Sequence, residues 1–271
     1  MAWSPLASIV INGIERKTLT LSNVQISFGR SSIWEQARSS FATVGLINNS
    51  NTDLLLDVNQ SIVIKVQNSV NVSVTLFTGK ITSIDNSMAG SGTIGKSVIQ
   101  TITAIGPFAQ MSRKVIGTTS YPKEFDTDRM TRIFTEAGVT VDTVDSPPVY
   151  EFMVRDANPS DAYSIAASYA TQANGYIYET ALGKVGFANE ARRSVDVTAN
   201  GYKVIPNNYI LWDSVSSEKT LADITNRIVV SYRAGEETAE DLTSQATYGL
   251  AAGSVNTELH NALDALNQAS A

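Results

Sequence analysis

Alternation of apolar and polar residues with a period of two runs through the first 115 positions and commits this chain to a β-rich fold. Val24, Ile26 and Phe28 alternate with Gln25 and Ser27, and Ala42, Val44 and Leu46 alternate with Thr43 and Gly45. Ile62 to Val66 is a short apolar run, and Val72, Val74 and Leu76 repeat the alternation. Ser97 to Ile105 is dense in β-branched side chains, which suit a pleated surface and crowd a helix. Between these runs, Asn48 to Thr52 and Met88 to Gly95 supply turn-forming residues. Short strands at such spacing predict a barrel or a sandwich.

The period then changes. Asp126 is placed to cap a helix in which Met130, Ile133, Phe134 and Ala137 share one face, and Gly138 ends it. Asn158 as cap and Pro159 in the first turn predict a second helix, with Ala162, Ile165, Ala166, Tyr169 and Ala173 as its apolar stripe and Gly175 as its stop. Tyr176 to Thr180 and Lys184 to Ala188 read as a hairpin turning at Leu182 and Gly183. Strand patterns return at Ile210 to Val215 and at Arg227 to Arg233, where Ile228, Val230 and Tyr232 share a face. A last helix, capped by Asn256 or Thr257, would carry Leu259, Ala262, Leu263 and Leu266. The predicted fold class is mainly β with an inserted α+β unit. It divides into an N-terminal β-barrel domain over 1–115, an α+β domain over 121–205, and returning strands of a second barrel plus a C-terminal helix over 206–271.

Composition narrows the function. Hydrophobic residues make up 43% and charged residues 17%, enough apolar surface for packed cores. A net charge of −6 opposes a protein whose task is to grip phosphate backbones. The absence of cysteine removes disulfides, thiolate metal sites and cysteine nucleophiles. No stretch approaches the ~20 apolar residues of a membrane span, so no membrane insertion is expected.

The sharpest local motif is Gly90-Ser91-Gly92-Thr93-Ile94-Gly95-Lys96-Ser97, which satisfies the G-x-x-x-x-G-K-S pattern of nucleotide P-loops. A working P-loop opens a helix, whose N-terminal N–H groups and dipole hold the phosphates. Here Val98 to Ile105 favours a strand, so the loop is expected to join two strands, and a P-loop nucleotide-binding enzyme is the weakest reading. His260, the only histidine, falls on the predicted last helix with no triad around it. Glu236, Glu237, Glu240 and Asp241 read as a solvated loop rather than a calcium or glycosidase site, as do Asp142 and Asp145. No catalytic residue, cofactor or metal is expected. Trp212 reads as core, and Trp3 and Trp34 as candidate interface anchors.

The order of motifs is itself recognisable. Trp3-Ser4-Pro5-Leu6-Ala7-Ser8-Ile9-Val10-Ile11-Asn12-Gly13, Ser27-Phe28-Gly29-Arg30, Leu76-Phe77-Thr78-Gly79 and Thr103-Ala104-Ile105-Gly106-Pro107, in this order, resemble segments of minor tail proteins of siphophages. Gln172-Ala173-Asn174-Gly175-Tyr176-Ile177-Tyr178 resembles the helix-then-hairpin unit of tail hubs. Thr225 to Tyr232, followed by Ser244 to Gly249, resembles their returning barrel strand. The chain therefore resembles the tail-tip or baseplate hub family. That resemblance implies a homo-oligomer, a trimer before a hexamer, at the tail tip of a virion made in the bacterial cytoplasm. It implies distal tail, tape-measure, spike or fibre proteins as partners, with DNA passing through a ring of barrels without specific binding. Leu259, Leu263 and Leu266 join Trp3 and Trp34 as interface candidates. A carbohydrate- or receptor-binding tail module is the nearest rival.

Overall fold

The computed structural model describes residues 7–16, 20–31, 35–48, 54–68, 70, 72–89, 97–192 and 224–270. The early alternation becomes one antiparallel sheet of seven strands: β1 (Ala7–Ile11), β2 (Ile14–Glu15), β3 (Thr20–Gly29), β4 (Arg38–Asn48), β5 (Ser61–Gln67), β6 (Ser73–Ala89) and β7 (Ser97–Ile105). They pair in the order β2-β1-β5-β6-β7-β4-β3. Side chains of one parity, among them Ile9, Ile11, Val44, Leu46, Ile62, Ile64, Phe77 and Ile102, form its core.

The sheet is strongly curled, and chain connectivity requires it. Glu15 ends β2 and Thr20 begins β3, so the two outer strands are held within roughly 17 Å of each other by the reach of an extended chain. Seven flat strands would set them roughly 29 Å apart. Phe28 of β3 and Phe77 of β6 meet with ring centroids 5.9 Å apart although β7 and β4 lie between their strands. Among the described residues no ladder joins β2 to β3, so the pairings form an open row.

The second half builds a separate core. Helix α1 (Pro107–Met111) leaves β7 and is followed by β8 (Val115–Ile116), β9 (Glu124–Phe125) and α2 (Asp126–Ala137). Next come β10 (Val141–Val144), β11 (Glu151–Phe152), β12 (Ser160–Asp161), α3 (Ala162–Gln172) and the hairpin β13 (Tyr176–Glu179) and β14 (Val185–Ala188). The last part comprises β15 (Arg227–Tyr232), β16 (Gly235–Glu240), α4 (Leu242–Tyr248), β17 (Ala252–Asn256) and α5 (Ala262–Ser270). β10 joins the hairpin in a sheet ordered β10-β14-β13, and β15 forms its own sheet ordered β16-β15-β17. Met130, Ile133, Phe134, Ile165, Tyr169, Phe187, Val230 and Leu259 all belong to one core, so the last sheet packs with the α+β elements.

The α2 stripe, its αL stop at Gly138 (φ 63°), and the hairpin turning at Gly183 (φ 73°) follow the sequence reading. Several expectations need correction. Asp126 is not the cap of α2 but its first residue, with Phe125 in the cap position. Helix α3 starts at Ala162, not behind Asn158 and Pro159, because Ser160 and Asp161 pair with β8 and the Asp161 carboxylate then accepts from Ser164 N. The acidic residues Glu236, Glu237 and Glu240 lie on strand β16 rather than in a loop, and Asp241 caps α4 by accepting from Ser244 N. Ser244 to Tyr248 is helical, not a strand. Asp142 is in strand β10, and Asp145 pairs with Arg192 at 3.0 Å.

The last helix is also displaced. Asn256 ends β17, Leu259 bridges to Phe152, and His260 precedes α5, its N–H bonded to Glu151 O. Asn261 takes the capping role, its Oδ1 accepting from Asp264 N, and the buried face is Ala265, Gln268 and Ala269. Ile210 to Val215 lies outside the described residues.

Candidate assembly interface

A short segment before β4 fastens the curled sheet to the second core. Ala37 packs within that core, and its carbonyl accepts from the Tyr163 hydroxyl at 2.9 Å. Gln36 reads the end of α3: its Nε2 donates to Gly175 O at 3.1 Å, and its Oε1 accepts from Ile177 N at 3.0 Å. Arg30, just after β3, lies over the Tyr176 ring, 4.5 Å from the centroid.

Glu179 is the pivot of the junction. One carboxylate oxygen accepts from Ser40 N of β4 at 2.8 Å, and the other from Phe108 N at the start of α1 at 2.5 Å. No side chain local to α1 caps it, so a carboxylate seventy-one residues later in the chain satisfies an orphan donor and faces the positive end of the short helix. Burial pushes the Glu179 carboxyl up from its ordinary value, and the hydrogen bonds to Ser40 and Phe108 oppose that rise. A Cβ at Gly106 would lie 2.1 Å from Ser40 Oγ and 2.8 Å from a Glu179 oxygen, so any larger residue there would displace the Ser40 hydroxyl and the Glu179 carboxylate. The hairpin tip lands on β6 as well: a Cβ at Gly183 would lie 3.0 Å from Thr78.

A second brace ties the middle of the chain to its C-terminal part. Arg129 is fully buried on α2, its Nε donating to Glu124 at 2.7 Å and its Nη2 to the carbonyls of Pro122 and Met153 at 2.9 Å each. The guanidinium also faces the Tyr169 ring at 4.6 Å. Tyr169 donates to Glu258, and Glu258 N donates to Gln172 Oε1 at 2.6 Å. Burial, reinforced by that carboxylate, raises the Tyr169 hydroxyl above its ordinary value. Met153 N in turn donates to Glu258 O at 2.9 Å. The segment that carries Leu259 is therefore held by α3 and β11.

The interface candidates separate. Leu259 is fully buried in the chain's own core, whereas Leu263 is 65% exposed and Leu266 40% exposed on α5. Trp3 and Trp34 lie outside the described residues, as does Trp212. Sequence reasoning missed Glu179, Gln36 and Arg129. Only Arg129 left a trace, because positions 126, 129, 130, 133, 134 and 137 form one continuous helical stripe in which two members are charged.

The Gly90 to Lys96 stretch is outside the described residues, but its flanks are not. β6 and β7 pair antiparallel up to Ala89 opposite Ser97, so Ser97 opens a strand and no helix N-terminus follows the motif. Among the described residues no group of three or more His, Asp or Glu is placed to hold a metal ion, and no helix is long and apolar enough to cross a membrane.

Comparison by sequence finds no matching family profile and no matching curated protein. Comparison by structure does. The 43 kDa tail protein of prophage MuSo2 from Shewanella oneidensis superimposes over 98% of this chain and 76% of its own, at 13% identity and a TM-score of 0.54. A tail protein of Neisseria meningitidis MC58 matches over 99% of this chain and 75% of its own, at 10% identity and a TM-score of 0.60. The fold is that of prophage tail proteins. Prophage tail protein gp18 of Listeria monocytogenes shows it again, at 8% identity and a TM-score of 0.55 over 93% of this chain and 72% of its own.

Proposed function

We propose that the chain is a non-enzymatic structural subunit of a phage tail tip, a hub or minor tail protein. It forms a ring around the DNA channel and links the tail tube to spike, fibre or tape-measure protein. The observation that carries this reading is the likeness to three tail proteins, two of them from prophages, over nearly the whole chain rather than over one module. The curl of the seven-stranded sheet supports an N-terminal barrel whose closure a ring neighbour completes, and β15 to β17 would supply strands of a second. The braces at Glu179 and Arg129 suit a part that must transmit force without shearing. A net charge of −6 suits a channel through which DNA slides, since like charges avoid tight phosphate contacts. The ring is a trimer of identical subunits.

Labelling tests the placement. Gold-conjugated antibody against this chain, applied to purified particles, is expected at the distal end of the tail. Label along the tube, on side fibres or on the head would overturn the assignment.

A further inference from the structure

The net charge conceals an opposition. Residues 1–115 carry nine Lys and Arg against five Asp and Glu, whereas residues 116–271 carry eleven against twenty-one. Exposed apolar side chains gather on both parts. On the curled sheet, exposed Phe28 and Leu76, with Tyr178 of the β13 hairpin, line a groove of about 360 Å³. Leu76 turns outward by alternation with buried Phe77, and the β5–β6 register slips beside it: Ile64 faces Phe77 and Lys65 faces Thr75, leaving Leu76 without a cross-strand partner. Arg38 lines the groove with the half-buried Glu179, its side chain 71% exposed and, among the described residues, ion-paired only with Glu35 at 3.5 Å.

The second surface is acidic. Leu242, Tyr248 and Leu250 are exposed on and after α4; Asp241 is exposed at the start of that helix, and Glu236 and Glu240 are exposed on β16, Glu240 being ion-paired with Arg227 at 3.1 Å. Strand β16, which carries the two glutamates, pairs with β15 on one side, and β3 pairs with β4 on one side, so each surface ends at an open strand edge among the described residues. Aromatic residues with arginine are the composition of an interface centre. A two-fold contact through either surface would set like charges together, whereas a head-to-tail contact sets unlike charges together.

We propose that the Arg38-flanked aromatic groove of one copy receives the acidic β16–α4 face of a second copy. The inference rests on the ring reading above and names the surfaces that close the ring.

The absence of cysteine makes the test clean. Full-length Arg38→Cys and Glu236→Cys proteins are mixed at high concentration under mild oxidation, and the covalent dimer is followed on a non-reducing gel. The mixed pair should cross-link roughly tenfold faster than either protein alone. Arg38→Cys mixed with Asp128→Cys, an exposed acidic position on α2, is the control. Cross-linking no faster than this control overturns the inference and assigns the groove to another tail component. A second arm uses Arg38→Glu and Glu236→Arg in the assembled tail. Each alone should abolish assembly and the combination should restore it, and absence of restoration overturns the pairing. A ring whose neighbours touch elsewhere sinks this contact and leaves the functional reading standing, whereas a tail tip with no ring of this subunit sinks both.

Discussion

Phe28 on β3 and Phe77 on β6 meet at a tilted angle of 56° with centroids 5.9 Å apart, across two intervening strands. In a flat sheet those strands would lie roughly 14 Å apart. This contact is the most direct mark of curvature in the N-terminal sheet. Phe77 is fully buried and Phe28 is 43% exposed, so the two contribute unequally. Phe77→Ala should cost about 3–5 kcal/mol and Phe28→Ala about 1–2 kcal/mol in urea unfolding, with a coupling of about 1 kcal/mol in the double variant. Strict additivity would mean that the ring contact is incidental to the curl.

Arg129 and Glu124 form a buried ion pair, with side-chain exposures of 0% and 7%, and Glu124 also holds Arg132 at 2.8 Å. Arg129→Ala leaves two carbonyls and part of a carboxylate without a donor. The loss should be about 3–5 kcal/mol. Arg132→Ala, at the exposed side of the same carboxylate, should cost less than about 1 kcal/mol. Equal costs, read by thermal or urea unfolding, would show that Arg129 is not the keystone of the brace.

Asp126 gives the chain a predictable response to pH. Burial raises its carboxyl from 3.8 to about 6, despite hydrogen bonds from Thr127 N and Val149 N, and Asp264 adds to the rise. A folded value above the unfolded one means that the folded state holds the proton more tightly. The resulting stabilisation is complete below pH 3.8 and is lost as the pH climbs through about 6. It amounts to roughly 3 kcal/mol at its largest. Asp126→Asn keeps an acceptor for both N–H groups and removes the titration. Relative to the native chain it should gain stability between pH 5 and pH 8, and a constant difference across that range would contradict the assignment.

Much of the fold was legible where structure is local. The stripe of α2 and its Gly138 stop, the hairpin around Gly183, and the strand after Ser97 all follow from periodicity and turn chemistry. The start of α3 was missed because Ser160 and Asp161 are claimed by β8, more than forty residues earlier, and nothing near Asn158 signals that pairing. The last helix was misplaced for a similar reason. Leu259 matched the spacing of Leu263 and Leu266, yet its neighbours are tied to β11 through the Phe152 bridge and the His260 N–H. Glu179 could not be found by any local rule, since its partners at Ser40 and Phe108 lie 139 and 71 residues away.

The split among the C-terminal leucines yields a prediction of its own. Leu259→Ala should cost about 2–5 kcal/mol, because it opens a cavity in the shared core. Leu263→Ala should leave the isolated chain within about 0.5 kcal/mol of the native one, being exposed. Under the ring reading, Leu263→Asp would still weaken assembly into tails. Both leucines behaving alike in unfolding experiments would return Leu263 to the core.

The most direct measurement is electron cryo-microscopy of the intact tail tip, at a resolution that places this subunit's sheets. The expected image is a closed ring of three copies on the tail axis, with the seven-stranded sheet of each copy against its neighbour and a DNA-wide channel through the centre. A single unringed copy, or copies displaced from the axis as a fibre, would contradict the assignment of this chain to the hub.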